Sequence, residues 1–266
     1  MKRKIEARKM KKDAVKDVWN ANAEFWDSRM GEGNFFHRML VEPTQLKLLD
    51  IKPGQKILDI ACGNGQFARK MSLMGAKVTG IDFAENMIKI AITKSSKDVK
   101  YQVVDVCKEH DLKKLSGTKF DAIVCTMAFM DMKDIKTLIK YSPMLLKKSG
   151  RFVFSLCHPC FNSGEFLLVH ERDDSNGVVT SNYFVKIKNY LLEKTYKGVA
   201  MVGQPELQYY FHRPVSTILN YFFQSGFVLD SYQEPSFKDV DDGASIFRNV
   251  YHNIPPALVC SLRLKG

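Results

Sequence analysis

The residues whose types and spacing best suit chemistry lie in a glycine-containing loop within residues 57–68, which read ILDIACGNGQFA. The loop holds a G-x-G-x-x-A pattern between a predicted strand and a predicted helix, and Asp82 follows Gly63 by 19 residues at the end of the next strand. Glycines there let the backbone approach a ligand closely, because no Cβ intervenes. An acid at this spacing is placed to accept hydrogen bonds from ribose hydroxyls. The pattern therefore predicts a nucleotide-binding loop.

The charge of this loop narrows the class of nucleotide. Asp59 lies close to the glycines, and the first base after them is Arg69, inside the predicted helix. A pyrophosphate would bring two negative charges to this place, and a neighbouring carboxylate disfavours it. S-adenosylmethionine has a ribose and a base, carries an ammonium and a sulfonium, and has no phosphate. The acid therefore favours S-adenosylmethionine over a dinucleotide.

Strand and helix patterns alternate after residue 50, which predicts parallel strands with helical crossovers on both faces of one sheet. Five strands are expected at residues 56–61, 77–81, 99–104, 120–125 and 151–156. Helices are expected between them at 65–73, 84–93 and 135–146, with a turn at 148–150. The fold class is thus α/β with one mostly parallel sheet.

The alternation of strands and helices stops at about 158–213. Apolar and polar residues alternate there, which predicts antiparallel strands or a hairpin insertion. A helix is expected over 214–225, followed by strands at 227–232 and 258–264, the last antiparallel at an edge. The expected organisation is a basic tail and helical segment over 1–50 and one domain over 51–266. In that domain the insertion at about 158–213 caps the site.

Several motifs in order resemble those of class I S-adenosylmethionine-dependent methyltransferases. The matching segments are residues 57–65, 80–83, 103–106, 120–124 and 145–154. The resemblance is close over about 50–160 and looser over 214–264. It implies a Rossmann-like methyltransferase fold with a seven-stranded, mostly parallel sheet, an antiparallel edge strand and a capping insertion after the fifth strand. It also implies S-adenosyl-L-methionine as the cofactor.

The resemblance implies a set of residues around the methionine part of the cofactor. Gly63 and Gly65 would line it, and Asp59 would influence its ammonium. Ala61 belongs to the same loop and to the same predicted site. Two residues at the end of the fourth strand would flank the sulfonium: Thr126 and Met127.

The resemblance also implies residues around the adenosine part. Asp82 would accept from the ribose hydroxyls, and Phe83 would pack on the adenine ring. Asp105 would accept from the exocyclic amine, with the backbone of Val106 donating to the ring. Met87, in the helix that follows Asp82, completes the predicted cofactor site.

Candidates for catalysis lie at the two ends of the insertion, where it rejoins the sheet. His158, Tyr210 and His212 are the predicted catalytic residues, since a histidine there could act as a general base. Arg213 could hold a carboxylate of the acceptor. The alternative is that the aromatic residues pack a small sheet and the histidines form local hydrogen bonds.

The C-x-x-C at residues 157–160 lacks a second ligand pair, so no metal site is predicted. Cys160 also resembles the nucleophile of some RNA cytosine C5-methyltransferases, but the Pro-Cys that they carry after the fourth strand is absent, since residues 125–127 read Cys-Thr-Met. The Pro-Pro-aromatic motif of the enzymes that methylate amino groups of nucleic acids is absent from that position as well. Both nucleic-acid classes are disfavoured.

The net charge of +11 arises largely from one segment. Residues 1–16 hold eight bases and two acids and carry +6, which leaves +5 for the other 250 residues. The tail is expected to be solvated, with an anionic partner such as RNA or lipid, or an oligomer contact, as alternatives. Cysteines in apolar runs, no secretory signal pattern and no membrane span indicate a cytoplasmic protein.

These features predict methyl transfer from S-adenosylmethionine to a small-molecule acceptor. An RNA methyltransferase and a non-catalytic S-adenosylmethionine-binding protein remain as alternatives. Nucleic acid is a possible partner that the sequence does not favour, and oligomeric state is not predicted.

Overall fold

A computed structural model describes residues 13–238 and 245–265 of the chain. Eight helices lie within those ranges: α1 (Ala14–Met30), α2 (Glu42–Leu49), α3 (Gln66–Leu73), α4 (Glu85–Lys94), α5 (Glu109–Lys114), α6 (Ile135–Leu145), α7 (Val215–Gln224) and α8 (Ile246–Val250). A π-helical turn, His37–Val41, precedes α2, and a 3₁₀ turn, Phe129–Asp131, precedes α6. Residues 1–12, most of the basic tail, lie outside the described ranges.

Seven strands form the main sheet: β1 (Lys56–Ile60), β2 (Lys77–Asp82), β3 (Lys100–Val103), β4 (Phe120–Thr126), β5 (Leu146–Cys157), β10 (Phe227–Gln233) and β11 (Ala257–Leu264). Their order is β10-β11-β5-β4-β1-β2-β3. β1 to β5 are mutually parallel, and β11 is antiparallel to both β5 and β10. The predicted fold class is confirmed. The last strand, β11, is predicted at an edge of the sheet, but it lies inside because β10 pairs with its outer side and forms the edge. The turn predicted at 148–150 lies within β5.

The insertion between β5 and α7 contains two antiparallel pairs. β6 (Glu165–Asp173) pairs with β7 (Thr180–Lys188), and β8 (Lys194–Gly198) pairs with β9 (Gln208–His212). Neither pair joins the main sheet. The insertion therefore follows the fifth strand and builds outward from the carboxyl ends of the parallel strands.

The core lies on both faces of the sheet, because successive side chains of a strand point to opposite faces. Leu58 and Ile60 of β1 belong to the cluster that includes α6 and α7. Ile57, which precedes Leu58 and points to the opposite face, packs with Phe67 and Met71 of α3. Apolar surface on both faces is what keeps β1 at the centre of the sheet, with its end directed at the glycine loop. None of the helices in the described ranges combines the length and apolar character that crossing a bilayer requires.

Phe222 of α7 tests this packing. It is fully buried, and its ring lies 5.3 Å from that of Phe154, 5.1 Å from that of Phe152 and 5.4 Å from that of Phe227. We expect Phe222→Ala to lower the free energy of unfolding by about 3–5 kcal/mol in urea denaturation. The control is Phe223→Ala on the same helix, which removes a ring that is 45% exposed and should cost about 0.5 kcal/mol or less. Equal losses in the two variants would contradict the observed helix orientation.

Candidate active site

A cavity of about 790 Å³ opens at the carboxyl ends of the parallel strands. Residues at or just past the end of each of these five strands line it: Ala61, Asp82, Val104, Thr126 and Cys157. α1 and the β8–β9 pair contribute the opposite walls, including Trp19 and Tyr210. Ligands of open α/β sheets bind at this edge. The cavity is therefore the candidate active site.

The glycine loop between β1 and α3 needs its two glycines for different reasons. Both have positive φ, +54° at Gly63 and +77° at Gly65. A Cβ on Gly63 would meet no atom within 4 Å, whereas one on Gly65 would lie 2.4 Å from the Tyr101 hydroxyl. Gly63 thus borders open space, and Gly65 lets the loop pass closely over a tyrosine.

Two non-glycine residues also adopt left-handed backbone at the cavity wall. They are Ala61, with φ +54° after β1, and Met127, with φ +51° after β4. The Met127 backbone N–H donates to the Ser155 carbonyl at 2.9 Å, which holds that conformation. Residues with this geometry cost of order 1–3 kcal/mol and cluster at ligand sites.

Asp82 connects β2 to the glycine loop. Its Oδ2 accepts from the Gly63 backbone N–H at 3.0 Å, and its Oδ1 accepts from the Ala84 N–H at 2.9 Å. Burial raises the pKa of Asp82 to about 6, and the backbone donors of Ala84, Gly63 and Phe83 oppose that rise. A carboxylate has about four acceptor sites, so Asp82 can still accept from ligand hydroxyls.

Asp59 is the second carboxyl group beneath the loop. It is buried, it lines the cavity, and its Oδ2 has no hydrogen-bond partner among the described residues. Burial, and then the negative charge of Asp82, raise the pKa of Asp59 to about 8. Two buried carboxyl groups without a buried counter-cation fit a ligand that brings positive charge.

The residues predicted around adenosine meet at one side of the cavity. Phe83, Met87, Asp105 and Val106 all line it. Asp105 is already engaged by its own loop, because its Oδ1 accepts from the Cys107 N–H at 3.1 Å and its Oδ2 lies 2.9 Å from Lys108 Nζ. Contact of Asp105 with an adenine amine stays a prediction, and it would require a further hydrogen bond at that carboxylate.

At the end of β4, Thr126 and Met127 line the cavity as well, and the buried Thr126 hydroxyl has no partner among the described residues. Of the eleven residues predicted for the cofactor, all but Gly65 therefore lie on the cavity wall. Gly65 lies behind the wall, against Tyr101. Its contribution is to the shape of the loop.

The two histidines predicted to be catalytic use both ring nitrogens within the protein. His158 Nδ1 accepts from the Cys160 N–H at 3.2 Å, and its Nε2 lies 2.8 Å from Glu234 Oε1. His212 Nε2 donates to the Tyr190 carbonyl at 2.7 Å, and its Nδ1 accepts from the Ser163 hydroxyl at 3.1 Å. Burial lowers the pKa of His158. Neither histidine is among the described residues that line the cavity, so a catalytic role for them has no support in this geometry.

Tyr210, the third predicted catalytic residue, does line the cavity. Its ring stacks on that of Tyr196 with centroids 5.3 Å apart, and burial strongly raises the pKa of its hydroxyl. Arg213, by contrast, donates to backbone carbonyls, at 2.8 Å to Met132 and 2.7 Å to Lys133. Its guanidinium therefore braces the segment after β4 instead of facing an acceptor.

Sequence reasoning missed two polar residues of the wall, Asp131 and Gln208. Asp131 ends the 3₁₀ turn after β4, and Gln208 begins β9. Gln208 Nε2 donates to Asp131 Oδ1 at 3.0 Å across 77 positions of sequence. A usable signal was the place of Asp131 just past the end of a parallel strand, where ligand-binding residues concentrate.

The first helix covers the cavity and is fastened to the insertion. Trp19 and Trp26 of α1 line the cavity, with ring centroids 5.0 Å apart. The buried Asn22 side chain donates to the Glu206 carbonyl and accepts from the Glu206 N–H, both at 2.9 Å. This pair of bonds links α1 to the loop between β8 and β9, so the two walls meet over the cavity.

Within 13–238 and 245–265 no group of three or more His, Cys, Asp or Glu side chains has the arrangement to hold a metal ion. Cys157 of the C-x-x-C lines the cavity, and burial raises the pKa of its thiol to about 12. It is therefore a neutral thiol at physiological pH. Cys160 is not among the cavity-lining residues of the described chain.

Comparison with known proteins places the chain in a family. The family described as "Methyltransferase domain" matches residues 51–206, which is more than half of the chain, so the protein belongs to that family. It is an S-adenosylmethionine-dependent methyltransferase of class I. The acid-bordered loop, the Asp82 carboxylate and the orphaned oxygen of Asp59 fit this cationic, phosphate-free cofactor.

Individual proteins are similar to this chain at low identity. A Haemophilus influenzae protein described as uncharacterized is 27% identical over 235 residues, 85% of this chain and 88% of that protein. A ubiquinone biosynthesis O-methyltransferase of Idiomarina loihiensis is 28% identical over 144 residues, which are 52% of this chain and 57% of that enzyme. The crystal structure of an S-adenosylmethionine-dependent methyltransferase from Mesorhizobium loti superposes with a TM-score of 0.64 at 24% identity, covering 83% of this chain and 96% of that one. This last likeness supports the fold.

Removal of the Asp82 carboxylate should disable cofactor binding. We expect Asp82→Ala to weaken S-adenosylmethionine binding roughly 100-fold in calorimetry, because charged hydrogen bonds to the ribose and the tether to Gly63 are lost together. Asp98→Ala, at an exposed acid between α4 and β3, is the control and should bind like the wild type. An unchanged dissociation constant in Asp82→Ala would contradict the predicted role.

The raised pKa of Asp59 predicts a pH dependence. At pH 6 the free protein holds this carboxyl protonated, and a bound cation favours the ionised form, so binding should release a proton. We therefore expect S-adenosylmethionine affinity to rise from pH 6 to pH 8, by up to about tenfold per pH unit. Asp59→Asn should flatten this dependence, while the titration of the cofactor's own amine remains common to both proteins. Parallel pH profiles would contradict the prediction.

Proposed function

We propose that this enzyme transfers a methyl group from S-adenosylmethionine to a small-molecule acceptor bound beneath the insertion. The observation that carries the proposal is the enclosure of the cavity. One space of about 790 Å³ extends from the glycine loop to Tyr196 and Tyr210, under walls joined by Asn22 and Glu206. This volume is in the range of small-molecule sites. Low-identity relatives described as ubiquinone biosynthesis O-methyltransferases give additional support.

In this proposal, different residues of the cavity bind different parts of the cofactor. Asp59, Gly63 and Asp82 hold the methionine and ribose parts of the cofactor, with Phe83, Met87 and the loop of Asp105 and Val106 at the adenine. Thr126 and Met127 lie where the reacting groups meet. When bound, the cofactor supplies an electrophilic methyl group on its sulfonium. The protein contributes alignment and exclusion of water.

We also propose that residues 51–266 form one catalytic domain, with the insertion at 158–213 as its cap and α1 as a second cover. The Asn22–Glu206 bonds join these two covers in the structure. A cytoplasmic location is proposed as well, because all six cysteines are free thiols, as a reducing compartment maintains them.

The proposal is tested by supplying radiolabelled S-adenosylmethionine with either a metabolite extract or total RNA. We expect label in the low-molecular-mass fraction. We also expect turnover to survive deletion of residues 1–12, which spares α1, and to change little with salt, because the proposed acceptor contacts lie in the cavity. Label in RNA, lost on that deletion and falling steeply with salt, would overturn it. Tight cofactor binding with label in neither fraction would support a binding protein instead.

A further inference from the structure

Two side chains that line the far side of the cavity, Asp131 and Gln208, each have a hydrogen-bond acceptor with no donor among the described residues. The Gln208 side chain is buried, and because its Nε2 donates to Asp131 Oδ1, its Oε1 is left with no partner among the described residues. Asp131 Oδ2 likewise has no hydrogen-bond partner among them, and both residues line the cavity. A buried acceptor without a donor costs about 1–3 kcal/mol. A ligand that supplied donors here would relieve that cost.

The segment that carries Asp131 cannot easily turn to find another donor. Arg213 holds its flanks, donating to the carbonyls of Phe129 at 3.2 Å, Met132 at 2.8 Å and Lys133 at 2.7 Å. The Phe129 ring, next to it, stacks at 4.8 Å on that of Phe154 in the core. Asp131 is therefore presented to the cavity by a braced turn, as a preorganised recognition group requires.

Asp131 also has no counter-charge. No cation pairs with it among the described residues, and burial raises the pKa of its carboxyl group well above the usual range. The titratable groups packed around it are Cys125 from β4, Cys157 from β5, Tyr196 from β8 and Tyr210 from β9, and burial raises the pKa of all four. They are neutral at physiological pH, so none of them is a counter-charge for an ionised Asp131, and a cationic ligand would supply one.

We propose that the acceptor is an amine, whose N–H groups bond to Asp131 Oδ2 and Gln208 Oε1 while its apolar body packs on the rings of Tyr196 and Tyr210. This inference rests on the proposed function and names its substrate class. A hydroxyl has one hydrogen to donate and would leave one of the two oxygens unpaired. A carboxylate or phosphate would meet an acid and an amide oxygen, which repel it. An ammonium supplies both the donors and the charge, and aromatic faces favour cations.

The same geometry lets Asp131 prepare the nucleophile. An incoming ammonium transfers one proton to the Asp131 carboxylate, which frees the nitrogen lone pair. That lone pair forms the bond to the methyl carbon as the carbon–sulfur bond breaks. The electron pair of the broken carbon–sulfur bond stays on the sulfur. The methylated product leaves as an ammonium, and Asp131 returns its proton to solvent. A carboxyl group with a raised pKa suits this exchange at neutral pH.

The test uses a panel of arylalkyl and alkyl primary amines, each paired with the alcohol of the same carbon skeleton. Binding to the full chain is measured by calorimetry with saturating S-adenosylhomocysteine, so that no turnover is needed. We expect amines to bind and their alcohols to bind at least tenfold more weakly. Asp131→Asn, which keeps the shape and removes the charge, should weaken amine binding at least tenfold and leave S-adenosylhomocysteine binding unchanged.

A second variant and a control keep the result interpretable. Gln208→Met removes the orphaned oxygen at similar volume and should also weaken amine binding. Glu171→Gln neutralises an exposed acid of β6 and should match the wild type. The inference is overturned if no amine binds, if alcohols bind as well as amines, or if Asp131→Asn and Gln208→Met both bind amines like the wild type. Failure of S-adenosylhomocysteine to bind would instead overturn the proposed function, so the two failures are distinguishable.

Discussion

The hydrogen bond from the Gly63 backbone to the Asp82 carboxylate is the interaction on which the site depends. It joins the end of β2 to the loop that follows β1, and so sets where the loop runs relative to the sheet. The bond places the Asp82 carboxyl group in a buried position beside a second carboxyl group, that of Asp59. The energetic cost of this burial is visible in the raised pKa values of both acids. A bound cation relieves that cost. Ligand choice and loop geometry therefore arise from the same pair of acids.

The balance of acidic and basic residues differs between the whole chain and the cavity. The chain carries +11 overall, yet six carboxylates and three lysines are among the described residues that line the cavity. Two of those lysines already pair with acids: Lys16 with Glu85, and Lys108 with Asp105. The cavity is therefore rich in acidic groups although the protein as a whole is basic. Such a cavity favours a cationic cofactor, and in our inference a cationic acceptor also.

The structural features that could be predicted from the sequence are those that depend on local patterns of residues. Apolar runs such as 57–60 predict buried strands, and the spacing of Gly63 and Asp82 predicts the loop and the acid that meets it, because the end of one parallel strand lies beside the end of the next. The Asp131–Gln208 contact has no such pattern, since it joins positions 77 apart through an insertion whose path is not periodic. His158 and His212 have chemistry-bearing side chains, but their partners Glu234 and Tyr190 are distant in sequence, so their engagement is visible only in three dimensions. The position of β11 inside the sheet likewise follows from long-range pairing with β5.

The central claim is that the acid-bordered cavity selects a cationic nucleoside without a phosphate. Calorimetric titration of the same protein with S-adenosylmethionine and with NAD tests it most directly, because both ligands carry adenosine and differ in the charge that meets Asp59. The account predicts saturable binding of S-adenosylmethionine and no detectable binding of NAD. Binding of NAD without binding of S-adenosylmethionine would contradict it.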